Sequence, residues 1–333
     1  MDSAAKPIMM TTRHMNMETS LRVFCGYHIP DSAVDEINAK YWFITQSLEL
    51  VNFPIPLPGT KVYKAIQARK LVMRWLELAA KKSKIAMGEG GRPECMLDEW
   101  VSIMSEPGYK GRKDFSDYEM AQVIFSFLFA SQDAMSSGLI YGFQHLADNP
   151  EVLAKVKIEQ ERIRMGNYED LITLDQMDDM VYLQAVVKES MRVKPPVTMV
   201  HILIVKSSFF MVILIPFRQV PYKCKKAFPI SENYTVPAGS MVIPSFYNSL
   251  HDPQVYADPD AFNPERWMDQ KGSATLSPKN YLVFGSGPHK CIGLEYAQMN
   301  IALVLATAVS MMNFEHEITP LSNQVECVMC FSL

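Results

Sequence analysis

Between Glu119 and Ala147 the chain carries one formal charge, Asp133, in a run otherwise made of apolar and small polar residues. Ser116-Asp117-Tyr118-Glu119 stands just before it, a capping box in which Ser116 and Glu119 can satisfy each other's exposed amides. A helix started there is apolar on nearly every side and must be buried over most of its surface. That demand sets the fold class: mainly α, with enough other helices to cover a central one. Composition meets the demand, since 48% of the 333 residues are apolar. With 20% charged residues and a net charge of −4, the chain has no nucleic-acid footprint.

The rest of the chain reads mostly as helices. Residues 1–15 are rich in Met, Thr and Lys without periodicity and read as an unstructured leader. Helical patterns are expected over 17–25, 31–52 and 61–83, the second ended by the prolines at 54, 56 and 58. The glycine-rich 88–93 stretch closes this part. Asn149 is expected to cap a helix that has Pro150 at its first position, and 175–192 reads as one helix stopped by Pro195-Pro196. After Tyr222 short strand and turn patterns appear, as at 234–239 and 241–244. The charge-free run 296–314 approaches membrane-spanning length, but Gln298, Asn300, Thr307, Ser310 and Asn313 make it a buried core helix. No apolar anchor of about 20 residues occurs near the N-terminus.

Six cysteines lie scattered at 25, 95, 224, 291, 327 and 330, which suits a reducing compartment. Cys327 and Cys330 form a lone Cys-x-x-Cys, read as strand sequence rather than zinc site. Cys291 is different. It stands in Phe284-Gly285-Ser286-Gly287-Pro288-His289-Lys290-Cys291-Ile292-Gly293, a glycine-rich turn just before the apolar 296–314 run. A thiolate there lies at the positive end of the helix dipole. Glycines leave no side-chain wall, so a flat cofactor could approach the sulfur, and His289 could meet a carboxylate of that cofactor. A dinucleotide loop is excluded because Lys290 stands where the third glycine would fall.

Two further segments accompany the cysteine. Glu189 and Arg192 sit three apart on one helix face, a weak signal alone. Downstream, the proline-rich stretch from His251 to Trp267 contains Arg266 and needs something to pin it.

Phe-x-x-Gly-x-(Arg/His)-x-Cys-x-Gly, followed back to Glu-x-x-Arg and the Arg266 segment, resembles the cytochrome P-450 family. The resemblance implies haem b held by Cys291, with Phe284, Gly287, His289 and Gly293 in its loop. It implies a structural triad of Glu189, Arg192 and Arg266 behind that loop, where one acid between two guanidiniums locks the chain. It also implies a proton relay with Asp133 as its acid; Ala134 holds the usual threonine position, so Ser136, Ser131 or water would donate instead. Phe129, Ala130, Ala134, Val197 and Met199 are expected to line the substrate pocket.

Within the family, 26–30, 50–56, 129–134 and 250–253 look like the fungal sterol 22-desaturases of ergosterol synthesis. That likeness implies a sterol substrate, dioxygen, an NADPH-dependent flavoprotein reductase, and the cytosolic face of the endoplasmic reticulum membrane. A hydroxylase of another terpenoid or fatty substrate, and a non-catalytic fragment that retains no haem, are the alternatives. Residues 16–333 are then a partial catalytic domain, and 1–15 a leader outside the family. The family's anchor, first helices and propionate-binding Trp-x-x-x-Arg helix are expected upstream, and 331–333 fall within its final β hairpin. Residues 200–219 read as an insertion, consistent with an in-frame retained intron. Lys206, Ser207 and Ser208 argue against a membrane span there.

Overall fold

The computed structural model describes residues 8–46, 56–196, 222–242 and 246–316. The proposed insertion, Val197, Met199 and the Cys327–Cys330 pair lie outside the described residues. The chain divides into two compact units, one up to Ser136 and one from Ser137.

The first unit is helical. It holds α1 (Ile8–Cys25), α2 (Asp31–Gln46), α3 (Lys61–Gly88), α4 (Met96–Ser105) and the first part of α5 (Asp117–Asp148). Met17, Leu21, Ile37, Tyr41, Val72, Leu76, Leu97, Ile124 and Leu128 are among its buried core. Thr60 starts α3, its hydroxyl accepting from the Tyr63 amide at 3.2 Å. At the start of α5, the Glu119 carboxylate accepts from the Ser116 amide at 2.8 Å, and the Glu119 amide donates to Ser116 Oγ at 3.2 Å. Helix α4 was not anticipated, although Leu97, Val101 and Met104 recur at helical spacing and are buried.

In this unit the expected unstructured leader is overturned. Residues 8–15 are the first turns of α1, not an unstructured stretch. Periodicity failed there because the buried face of α1 is largely polar, carrying Thr12, Arg13, Asn16 and Ser20. That face meets a matching polar strip on α5. Asn16 Nδ2 donates to the Gln132 carbonyl at 3.0 Å, and Gln132 Nε2 donates to the Arg13 carbonyl at 2.7 Å.

The second unit contains the end of α5, then α6 (Pro150–Arg164), α7 (Leu174–Asp179), α8 (Val181–Val193), β1 (Tyr222–Lys223), β2 (Phe228–Ser231), β3 (Tyr234–Val236) and β4 (Met241–Val242). Two short helices, α9 (Tyr247–Leu250) and α10 (Ser273–Leu276), precede α11 (Leu294–Met311). β1 pairs antiparallel with β4 and β2 with β3, so among the described residues the β part is two small ribbons. The expected helix over 175–192 is two helices. The Glu159 carboxylate, from α6, takes the amides of Tyr182 and Leu183 at 2.7 and 2.9 Å and starts α8 afresh. Asn149 does not cap α6 through its side chain; its Nδ2 donates back to the His145 carbonyl at 2.8 Å.

Helix α11 packs against α6 and α8, and meets the end of α5 at two glycines. A Cβ on Gly138 would lie 2.8 Å from Ile301 Cδ1, and one on Gly142 would lie 2.9 Å from Leu305 Cδ1. Two glycines four apart therefore form a notch that receives two α11 side chains four apart. The charge-free run is a core helix, with Ile301, Ala302, Leu305, Ala306 and Val309 buried.

Candidate functional site: the Cys291 loop and the Glu189 cage

The loop from Leu282 to Gly293 is held by its own backbone. The Gly285 amide donates to the Leu282 carbonyl at 2.9 Å, and the Cys291 amide donates to the Phe284 carbonyl at 2.8 Å. Gly285 and Gly287 have φ of +67° and +68°, the left-handed region where a side chain is strained. A Cβ on Gly287 would meet nothing within 4 Å, so its glycine serves backbone conformation, not packing. Gly293 caps α11, and a Cβ there would lie 3.9 Å from Cys291 Sγ. Cys291 is a free, exposed thiol, and its neighbour Ile292 is 83% exposed. The other described cysteines, 25, 95 and 224, are buried. Phe284 is half-buried, and His289 is exposed on the 3-10 turn Gly287–His289.

Behind this loop the structure brings Glu189, Arg192 and Arg266 together. Among the described residues the Glu189 carboxylate accepts five hydrogen bonds. Arg192 Nε and Nη2 each donate at 2.9 Å, as does Arg266 Nε. The Asn263 amide donates at 3.0 Å and Trp267 Nε1 at 2.8 Å. Glu189 and Arg192 are fully buried. Burial by itself would push the Glu189 carboxyl up, but the hydrogen bonds and charge of Arg192, the Asn263 amide and Arg266 hold it below the usual range. Arg192 Nη1 also donates to the Leu250 and Pro259 carbonyls at 2.8 and 2.7 Å, and Arg266 Nη1 to the Ala257 carbonyl at 2.9 Å. The proline-rich segment is pinned by its carbonyls to two buried guanidiniums.

Sequence reasoning missed Trp267, although it adjoins Arg266. Its ring connects the cage to the chain leading into the cysteine loop. It meets Tyr281 edge-on at 5.3 Å, and Lys188 Nζ lies 4.2 Å from its centroid. Tyr281 in turn donates to the Lys188 carbonyl at 3.1 Å. Beside the cage, His145 is buried, with Nδ1 2.9 Å from Ser190 Oγ and its ring stacked 4.5 Å from Phe262. Burial, then the Lys194 charge, pulls its pKa down to about 4.

The α5 candidates lie in the first unit. Asp133 is 3% exposed and forms a buried ion pair with Arg13. Burial lowers the Arg13 pKa to about 10, and the guanidinium stacks 4.8 Å from the Trp42 centroid. Ser136 is buried, and its hydroxyl donates to the Gln132 carbonyl at 2.6 Å. Ser131 donates likewise to Leu128 at 3.2 Å. Asp133 and Ser136 are thus each committed to a partner within the unit. Phe129 and Ala134 are half-buried and Ala130 is exposed.

The cytochrome P450 family model matches residues 18–208 and 214–329. The chain belongs to this family. Among curated relatives, the C-22 sterol desaturase ERG5A of Gibberella zeae is 40% identical over 98% of this chain and 60% of its own length. The C-22 sterol desaturase of Aspergillus fumigatus is 38% identical over 98% of this chain and 62% of its own. That of Saccharomyces cerevisiae is 38% identical over 92% and 54%. The chain therefore spans about three fifths of the length of the curated relatives it matches. Among solved P450 structures, the retinoic-acid-bound cyanobacterial CYP120A1 superposes with a TM-score of 0.70 at 23% identity, covering 92% of this chain and 62% of that one. The cytochrome P450DA heme domain gives 0.73 at 16%, covering 93% and 62%. Both share the fold.

Proposed function

We propose that this chain is the catalytic part of a haem-thiolate oxidase that introduces the 22,23 double bond into a sterol side chain. The observation that carries the reading is 38–40% identity to three C-22 sterol desaturases over at least 92% of the chain, with the exposed Cys291 thiol in its glycine loop. The loop fits a haem. Cys291 offers a soft sulfur donor, and no side chain projects from positions 285, 287 or 293. Bound haem b would supply activation of dioxygen and removal of hydrogen from unactivated carbon.

The chain's own residues do the rest. Cys291, at the N-terminus of α11, would hold the iron of the haem, and His289 would meet its propionate. The Glu189 cage fixes the segment that runs into the loop through Trp267 and Tyr281. Such stacking and buried hydrogen bonding keeps a ligand within tolerance of its working position. Phe129, Ala130 and Ala134, with Val197 and Met199, are assigned to the sterol. Ala134 offers less bulk than threonine, which lets two adjacent carbons of a flexible tail be presented together. A proton moving along α5 must displace either the Arg13 contact to Asp133 or the Ser136 bond to Gln132. Electrons come from an NADPH-dependent flavoprotein reductase, and the working enzyme is assigned to the cytosolic face of the endoplasmic reticulum membrane.

One relative favours a second reading. The cytochrome P450 monooxygenase oblE of Emericella variicolor is 34% identical over 96% of this chain, so hydroxylation of another terpenoid or fatty substrate is the rival. Sterol analysis separates the two. Expressed in a fungal strain lacking its own 22-desaturase, the complete enzyme should restore 22-alkene sterols. A 22-alcohol, or no change in sterols, would overturn the assignment.

A further inference from the structure

We propose that His28, Cys95 and Asp98, in the first unit and separate from the Cys291 loop, form a zinc site. The imidazole, thiol and carboxylate ligand atoms of these residues all lie within 4.8 Å of one another. Such a mixed nitrogen, sulfur and oxygen set is what zinc takes, and cations preferring oxygen alone do not.

The local fold builds the cluster. Cys95 is the N-cap residue of α4 and Asp98 lies in its first turn, so the two share one face of the helix start. His28 closes the 3-10 turn Gly26–His28 that follows α1. Gly26 has φ +56°, and a Cβ there would lie 3.2 Å from Cys95 Cβ. The turn carrying His28 therefore sits directly against Cys95, an approach a glycine permits. Lys82 Nζ donates to the His28 carbonyl at 3.1 Å and holds the turn from α3.

The three groups are also partly oriented. His28 Nε2 lies 2.7 Å from Asp98 Oδ1, which also accepts from Ser83 Oγ at 2.5 Å. Asp98 Oδ2 accepts from the Glu94 amide at 3.3 Å. Cys95 and Asp98 are 7% and 3% exposed, whereas His28 is half-buried, which leaves a path from solvent. Tetrahedral zinc places ligand atoms about 3.3–3.6 Å apart, as its bonds of about 2.0–2.3 Å require. The imidazole and carboxylate, 2.7 Å apart, must separate slightly to admit the ion. One thiolate and one carboxylate with a neutral imidazole balance the charge of the ion, and the thiol proton leaves as the metal enters. The fourth position falls to water.

The test uses the whole chain in a Cys291→Ala, Cys327→Ser, Cys330→Ser background, so that no other exposed or paired thiol competes. Cobalt(II) is the probe. One equivalent should give tetrahedral visible bands and a thiolate charge-transfer band, both lost on adding one equivalent of zinc. Cys95→Ser should abolish the charge-transfer band. His28→Gln and Asp98→Asn should each weaken cobalt binding more than about 10-fold. Far-UV circular dichroism identifies the variants that keep their helices, and His28→Gln is the mildest since His28 is the least buried of the three. No stoichiometric binding by the folded chain, or a charge-transfer band that persists in folded Cys95→Ser, would overturn the proposal.

Discussion

Arg13 and Asp133 form an ion pair in which both side chains are only 5% exposed. The arginine lies in a stretch whose sequence carries no apolar rhythm, yet it neutralises the one formal charge between Glu119 and Ala147 on α5. Taking two charges out of water is unfavourable unless each finds a partner, and removing one partner strands the other. Arg13→Ala should therefore destabilise the chain by about 3–5 kcal/mol in urea unfolding. Adding Asp133→Asn to that variant should recover a good part of the loss. If Arg13→Ala unfolds at the same midpoint as the parent, the pair contributes nothing in solution.

Glu189 gives a second case with the sign fixed by burial. Its carboxylate is fully buried and accepts from two guanidiniums, an indole and an amide. Glu189→Ala leaves Arg192 without its counter-charge in the interior and should cost about 3–5 kcal/mol. Trp267→Phe removes one hydrogen bond but keeps an aromatic ring, so about 1–2 kcal/mol is expected. Thermal unfolding of both variants checks the order.

The cysteine loop was legible because its residues lie close together in sequence, whereas the cage, with Arg266 far downstream of a weak Glu-x-x-Arg signal, was expected only through the family resemblance. Phe284, Gly287, His289, Cys291 and Gly293 fall within ten residues, and Glu189 and Arg192 within one helical turn. What escaped depends on distant partners. The break between α7 and α8 is made by Glu159 reaching from α6 to the Tyr182 and Leu183 amides, which nothing in 174–193 reveals. The start of α1 escaped because its buried face is polar and finds polar partners on α5. Trp267 escaped because an indole beside an arginine looks like ordinary core. His28, Cys95 and Asp98 are brought together by a glycine turn, and their separation in sequence gave no pattern to read.

Acid should weaken the fold through His145. Its folded pKa, about 4, lies below the ordinary 6.5, so the unfolded chain binds more protons between those values. Stability is then fully present above about pH 6.5 and falls as pH drops toward 4, by up to about 3 kcal/mol from this group. Replacing it as His145→Gln should flatten that part of the stability profile. A profile unchanged by the substitution would remove His145 as the cause.

The glycine notch on α5 should tolerate no branched side chain. Gly142→Val would place methyl groups against Leu305, already 2.9 Å from where a Cβ would stand. Overpacking of this kind destabilises by about 1–3 kcal/mol, and Leu305→Ala in the same chain should restore part of it. Double-mutant unfolding experiments measure the coupling.

The central claim is that Cys291 is the thiolate ligand of a haem. The direct measurement is the reduced carbon monoxide difference spectrum of haem-supplemented protein, compared with Cys291→Ala. Thiolate ligation gives a red-shifted Soret band, so the parent should show it and the variant should not. A parent without the band, or a variant that keeps it at full haem occupancy, would contradict the account.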